Sequence, residues 1–372
     1  MTLKILDLFA GAGGLSLGFE LVKDKSGNPV FELYRAVEVD KYACDTLRRY
    51  YGAGRVIEGD ITKQDIADRI IKECKGEVSI IVGGIPCQSF SLIGPRSGYG
   101  KKNENFKRDR RDGLYEHFRD IVAEIKPNII VIENVRGILS KKDNGGGKII
   151  DKLLSDFEDI GYVFENERGD KYSLLNAADY GVPQKRERVI LIGIKKEWKN
   201  TKVPIIKPTH FNPQSDNSED LMKKGLKPYV TVYEAIGDLP SVNSKITFTG
   251  ILKSKRDIIR KRNKNIDNGK DRILLDNEKF LNHLKTISSS GKNFMKFVRP
   301  NGYKYMDYHI ARSQQYSDIE LFSLLKEGET AKEFMEREPE LAKKLIKYDM
   351  LSFKDKYRKQ NSYNPSTTIF AH

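Results

Sequence analysis

The first half of the chain alternates short apolar runs with amphipathic stretches. The runs Leu3–Phe9, Leu33–Val39, Val78–Val82, Asn128–Ile132 and Val189–Ile194 are brief and β-branched, and they predict strands. The stretches Leu15–Val22, Tyr42–Tyr50, Gln64–Cys74, Tyr115–Ile125 and Ile149–Ile160 carry apolar residues at helical spacing and predict helices between them. This alternation belongs to an α/β sheet of parallel strands with helices on both faces. The pattern weakens after Lys195. Pro204, Pro208, Pro213 and Pro228 follow, then a stretch rich in Lys, Asn and Asp, with helical periodicity only at Asp318–Lys326 and Ala331–Lys347. A boundary around Lys195–Lys207 separates a first domain, 1–200, from a smaller second one, 201–372.

Charge adds a partner to this picture. The 372 residues carry 66 Lys and Arg against 52 Asp and Glu, a formal charge of +14. That excess favours a polyanion, nucleic acid first, although a Lys-rich surface also serves solubility alone. Lys253–Arg272 holds nine of the basic residues and three Asp. The three cysteines and five histidines have no metal-ligand spacing, so no metal is expected. An odd number of distant cysteines argues against a disulfide framework and fits a reducing, cytoplasmic setting. The chain opens directly into a strand without a signal peptide, and no apolar run is long enough to span a bilayer, so no membrane is expected.

The first strand ends in Ala10-Gly11-Ala12-Gly13-Gly14 and a helix follows. Glycines there permit a sharp turn and close approach of a ligand to the backbone. Glu38 ends the second strand, where a carboxylate can accept both hydroxyls of a ribose, and Asp60 stands where a third strand should end, within reach of an adenine amine. The same residues also fit ordinary strand-end and turn positions. The spacing Gly-x-Gly-Gly, with no phosphate-binding group after it, argues against a dinucleotide enzyme.

Cys87 lies in Gly83-Gly84-Ile85-Pro86-Cys87-Gln88-Ser89, directly after a buried strand. A thiolate there, activated by a helix N-terminus or nearby cations, would attack electron-poor carbon. Arg96, Lys101, Lys102, Lys107, Arg108, Arg110 and Arg111 follow, and they suit either phosphate contacts or a solvated surface. Cys44 reads as core packing. Glu133 ends the fourth of the predicted strands, in the crevice where α/β ligands bind, and desolvation there would raise its pKa enough for proton donation to a ring nitrogen. Arg186 and Arg188, two apart on an extended segment, share one face and could clamp Glu133 and a base carbonyl or phosphate; Lys185 and Glu187 point away.

These residues together resemble the DNA (cytosine-5) methyltransferase family. Asp7-Leu8-Phe9-Ala10-Gly11-Ala12-Gly13-Gly14 is similar to its cofactor motif, and Gly84-Ile85-Pro86-Cys87-Gln88 to its catalytic motif. Glu133-Asn134-Val135 and Gln184-Lys185-Arg186-Glu187-Arg188 resemble two more, in the family's order. Tyr233-Glu234-Ala235-Ile236-Gly237-Asp238-Leu239-Pro240 and Pro365-Ser366-Thr367-Thr368-Ile369 resemble segments that flank a variable recognition region. The resemblance implies a Rossmann-like, S-adenosylmethionine-dependent sheet plus a DNA-recognition domain, with duplex DNA in a cleft between them. It implies methyl transfer to carbon 5 of a flipped cytosine through a covalent Cys87 adduct, within a restriction–modification system. Cys87, Glu133, Arg186 and Arg188 would be catalytic. Asp7, Phe9, Ala10, Gly11, Gly13, Gly14, Glu38, Val39, Asp60, Ile61 and Pro86 would line the cofactor.

DNA contacts are expected at Gln88, Ser89, Arg96, Gln184, Lys255, Arg256 and Arg260, with further phosphate contacts from Lys253–Arg272 and the turn Ser288-Ser289-Ser290-Gly291-Lys292. Family members normally continue into an Arg-x-Leu-Thr-x-Arg-Glu segment and a Gly-Asn-rich one, neither of which precedes Ala371-His372. The resemblance therefore carries the expectation of a second polypeptide that supplies them, with a shortened chain or a decayed gene as the alternatives. An RNA cytosine methyltransferase and an inactive DNA-binding subunit are the competing functions.

Overall fold

A computed structural model describes residues 2–86, 114–142, 146–198, 202–241, 273–299, 305–306, 314–346 and 357–368. The chain divides into two compact units, one of residues 1–175 with 187–207 and the other of 176–186 with 208–372.

The first unit is built on one sheet. Its strands are β1 (Leu3–Leu8), β2 (Phe31–Glu38), β3 (Val56–Glu58), β4 (Ile80–Gly84), β5 (Ile129–Val135), β6 (Tyr162–Val163), β7 (Ser173–Asn176) and, after β8 (Gln184–Lys185) of the other unit, β9 (Glu187–Lys195). The order is β3-β2-β1-β4-β5-β9-β6, with β7 also on β9. The helices are α1 (Gly14–Glu20), α2 (Lys41–Tyr51), α3 (Gln64–Cys74), α4 (Leu114–Ile125) and α5 (Ile149–Asp159). Each strand and helix predicted in the first half is present to within a few residues. One feature differs: β1 through β5 are parallel, but β9 runs antiparallel to β5, with Glu133 opposite Ile190 and Val135 opposite Arg188. An apolar run specifies burial, not direction.

The two faces separate by strand alternation. Leu6 and Leu8 of β1, Ile81 of β4 and Ile130 and Ile132 of β5 face α3, α4 and α5, which present Ile70, Phe118, Val122, Leu153 and Phe157. Those helix positions recur every three or four residues, so one stripe of each helix is buried. Ile5, Ile80, Val82 and Val131 face the other way, packed with Leu15 and Phe19 of α1. Leu33, Ala36 and Val56 bury Cys44 and Leu47 of α2. Cys44 thus packs in the core as its sequence position suggests. β1 lies between β2 and β4 with both faces covered, and Ile5 through Leu8 have no exposed surface. Among the described residues no helix is long and apolar enough to cross a membrane.

In the second unit β8 pairs in parallel with Ser366–Thr367. Tyr229 donates to Asp179, and the Thr209 amide donates to the Asp179 carbonyl at 2.9 Å. These bonds hold 176–186 against residues that follow 207, so the chain does not divide at 200 as expected: the segment carrying Gln184 and Arg186 goes with the second unit. Helix α6 (Val232–Ile236) starts in a capping box between Thr231 and Glu234. Its Asp238 and Ala235 ends receive the buried Arg299 guanidinium, whose Nη1 lies 2.5 Å from Asp238 Oδ2 and whose Nη2 lies 3.0 Å from Oδ1. The single helix predicted over Ala331–Lys347 is two, Ala331–Arg337 and Pro339–Leu345, because Pro339 cannot donate into the first and begins the second.

Candidate active site at the carboxyl ends of the parallel strands

The turn after β1 is built from left-handed backbone. Phe9, Gly11 and Gly13 have φ of 60°, 54° and 89°. A bulky residue at positive φ is a strained position of the kind found at functional sites. At Gly13 a Cβ would stand 2.9 Å from Leu47 Cδ2 and 3.2 Å from a Tyr51 ring carbon, so only glycine fits. At Gly11 and Gly14 a Cβ would meet nothing within 4 Å, so these two positions open onto free space.

Two carboxylates flank the turn. Glu38 ends β2 half-buried; its Oε2 accepts the Gly11 amide at 2.8 Å and its Oε1 accepts the Val39 and Asp40 amides at 2.8 and 2.9 Å. It braces the turn and keeps one acceptor position on Oε2. Val39 beside it is 66% exposed, an apolar side chain left in the open at the same strand end. Asp60 follows β3; its Oδ1 takes the Thr62 amide and hydroxyl, and the Thr62 amide above all holds its pKa below the usual carboxylate range. Its Oδ2 has no partner among the described residues.

Three members of the expected cofactor set have buried side chains. Asp7 is wholly buried, because β1 is covered on both faces; its Oδ2 accepts the Ser16 hydroxyl. The Ile61 side chain belongs to the core, so only its backbone remains for binding. Ala10 is also buried, with its amide on the Val37 carbonyl at 3.1 Å.

On the other side of β1, β4 delivers Gly83, Gly84, Ile85 and Pro86. A Cβ at Gly83 would come within 2.7 Å of the Leu8 carbonyl oxygen, so glycine lets β4 close against the end of β1. Glu133 on β5 lies opposite Gly84, with Oε2 3.4 Å from where a Gly84 Cβ would stand. Arg188 on β9 is its diagonal neighbour, and Nε lies 2.6 Å from Glu133 Oε1. This is an ion pair by distance, although the Nε hydrogen is not aimed along a hydrogen bond. Both side chains are partly exposed, 20% for Arg188 and 27% for Glu133, which leaves the pair open to a ligand.

Arg188 therefore meets Glu133 as expected. Arg186 belongs to the second unit, where its amide donates to Asn176 Oδ1 at 3.1 Å and its carbonyl accepts the Ala177 amide at 2.9 Å. Gln184 lies in β8. Ser290 and Gly291, expected in a phosphate-binding turn, are instead buried in the first turn of helix Ser289–Val298, capped by Ser288 and packed on Glu234. Ser289 and Lys292 are the exposed members of that group. Cys87, Gln88, Ser89 and Arg96, with the rest of the basic loop, lie outside the described residues, as do Lys255, Arg256, Arg260 and all of Lys253–Arg272. Two contributors went unread in the sequence. Asn134, 2% exposed, donates from Nδ2 to the Ile85 carbonyl at 3.4 Å and accepts the Val135 amide on Oδ1 at 2.8 Å, which ties β5 to the strand end before Cys87. Ser16 ties α1 to Asp7. A polar residue inside an otherwise apolar run was the available signal for both.

A model of the C-5 cytosine-specific DNA methylase family matches residues 3–362. The chain is 37% identical over 246 residues to the type II methyltransferase M.AquIA of Picosynechococcus sp., which covers 64% of this chain and 90% of that protein. It is 35% identical over 238 residues to M.NgoFVII of Neisseria gonorrhoeae and 37% identical over 265 residues to M.BspRI of Lysinibacillus sphaericus, covering 64% and 66% of this chain. Of those two proteins it spans about half, 53% and 54%. A crystal structure of a DNA modification methyltransferase encoded within an E. coli prophage shares the fold, with a TM-score of 0.53, 24% identity and coverage of 88% of this chain and 77% of the other.

Proposed function

Because the chain belongs to the C-5 cytosine-specific DNA methylase family, we propose that it methylates carbon 5 of a cytosine extruded from duplex DNA, as the modification component of a type II restriction–modification system in a prokaryotic cytoplasm. The observation that carries the reading is the Glu133–Arg188 pair beside the Gly84–Pro86 strand end. Glu133 pairs with Gly84, three residues before Cys87 in sequence, and this supports the reading.

The residues present fit S-adenosylmethionine. The free space at Gly11 and Gly14, the remaining acceptor on Glu38 and the unused oxygen of Asp60 suit an amino-acid tail, a ribose and an adenine in turn. When bound, this cofactor supplies a methyl group made electrophilic by its sulfonium. The chain's own groups act on the base. The Cys87 thiolate adds to carbon 6 of the cytosine, and the electron pair of the 5,6 double bond moves toward carbon 5 and the ring. Glu133, held by Arg188, hydrogen-bonds the ring nitrogen that receives this density. After methylation, loss of the carbon-5 proton re-forms the double bond and expels the Cys87 sulfur. Gln88, Ser89, Arg96, Gln184, Lys255, Arg256 and Arg260 are assigned to DNA contacts, and Arg186 to support of the same reaction. The second polypeptide expected from the sequence gains no support from the family match or the relatives, and plays no part in this reading.

The test is covalent trapping on a 5-fluorocytosine duplex, where the missing carbon-5 proton stalls the expulsion step. The full-length protein should form a complex stable to denaturation, and Cys87→Ser should bind the duplex without forming it. Trapping that survives Cys87→Ser would sink the assignment. Trapping on single-stranded RNA alone would favour the RNA enzyme, and duplex binding without any trapping would favour an inactive subunit.

A further inference from the structure

One charged side chain beneath the glycine turn has no place in the reaction. Asp7 has no exposed surface, and its Oδ1 is buried without a hydrogen-bond partner among the described residues. Oδ2 has the Ser16 hydroxyl, on the first turn of α1. The groups facing it from the surrounding elements are negative or neutral. Glu38 of β2 acts on it as a like charge. Tyr51 of α2 brings a buried hydroxyl beside Glu20 of α1. β4 brings Val82 opposite Asp7 in the ladder. Among the described residues no Lys or Arg compensates it. Burial pushes Asp7 up to about 7, against the opposing pull of Ser16.

We propose that Asp7 is a positioning residue that gives up its proton when a cationic cofactor occupies the glycine turn. Below about pH 7 the carboxyl holds its proton while the turn is free. A sulfonium seated on Gly11–Gly14 adds the positive charge that the pocket lacks, the proton leaves to solvent, and the resulting carboxylate grips the Ser16 hydroxyl and fixes α1 behind the turn. The charge is balanced: one proton is released for one cation bound. The inference rests on the proposed use of S-adenosylmethionine. The sign follows from linkage. The binding form is the carboxylate, so affinity for the sulfonium cofactor is level above about pH 7 and falls as pH drops, by up to about tenfold per unit. The thioether product, S-adenosylhomocysteine, lacks the sulfonium charge and should show a weaker dependence.

The test is calorimetric titration of the full-length protein with each ligand, from pH 6 to pH 8, in two buffers of different ionisation enthalpy. Near pH 6 the sulfonium ligand should release close to one proton, and the thioether clearly less. Asp7→Asn, which keeps the shape and removes the charge, should abolish the difference. Ser16→Ala keeps the carboxyl and the Ser16 amide but loses the hydroxyl donor, so the pH at which affinity levels off should move upward. This second variant decides the matter if Asp7→Asn fails to fold. Binding with a proton count unchanged by Asp7→Asn, or a profile unmoved by Ser16→Ala, overturns the proposal alone. Absence of binding by either ligand at every pH overturns the cofactor reading, and this proposal with it.

Discussion

At the scale of the residue, the site depends on atoms that are not there. Gly11 and Gly13 both have left-handed backbone, but only Gly13 is also crowded, with Leu47 and Tyr51 against its α-carbon. Substitution separates the two effects. Gly11→Ala should cost the backbone term, about 1–2 kcal/mol. Gly13→Ala should cost that plus overpacking, about 2–4 kcal/mol in all. Urea unfolding of both variants checks this, and equal losses would mean that the crowding relaxes. The sequence disclosed these glycines because their chemistry is local. It disclosed Glu38 and Glu133 for the same reason, as acids at the ends of apolar runs. It did not disclose that Asp7 is sealed from solvent, which depends on the strands to either side of β1. Nor could it separate Arg188 from Arg186: two residues apart on one extended segment, they are divided by a boundary that β8 sets through its pairing with Ser366–Thr367.

At the scale of the element, periodicity was a good guide wherever a helix buries one stripe. α3, with Ile70 and Cys74, and α4, with Phe118, Val122 and Ile125, lie where their spacing puts them. It failed where one residue breaks the rule, as Pro339 does between Ala331–Arg337 and Pro339–Leu345, and where direction rather than burial was at stake, as in β9. The second unit's helices are held by groups that periodicity does not reveal. Arg299 and Asp238 are 6% and 4% exposed in their side chains, so neither charge can be left alone. Asp238→Ala should destabilise by about 3–5 kcal/mol, since it leaves a buried guanidinium unpaired. Loss of the α6 cap in Thr231→Ala should cost only about 1 kcal/mol. Denaturant unfolding of the two variants would show the contrast, and similar losses would mean that Arg299 finds water.

At the scale of the whole molecule, the formal charge of +14 is the feature that bears on the proposed substrate. If several of the basic residues neutralise phosphates, raising salt from about 50 to about 200 mM should weaken duplex binding by on the order of a thousandfold. A salt-independent affinity would rule out a phosphate-dominated interface. The connectivity has a separate consequence. The polypeptide leaves the sheet after Leu175, returns at Glu187 and leaves again after Lys207, so the second unit is assembled from two stretches of chain. Anyone exchanging the second unit between relatives by cutting once, downstream of Lys207, would leave Gln184–Lys185 without the Ser366–Thr367 strand it pairs with. A workable graft carries the short excursion 176–186 along with its distant mate, as two inserts rather than one.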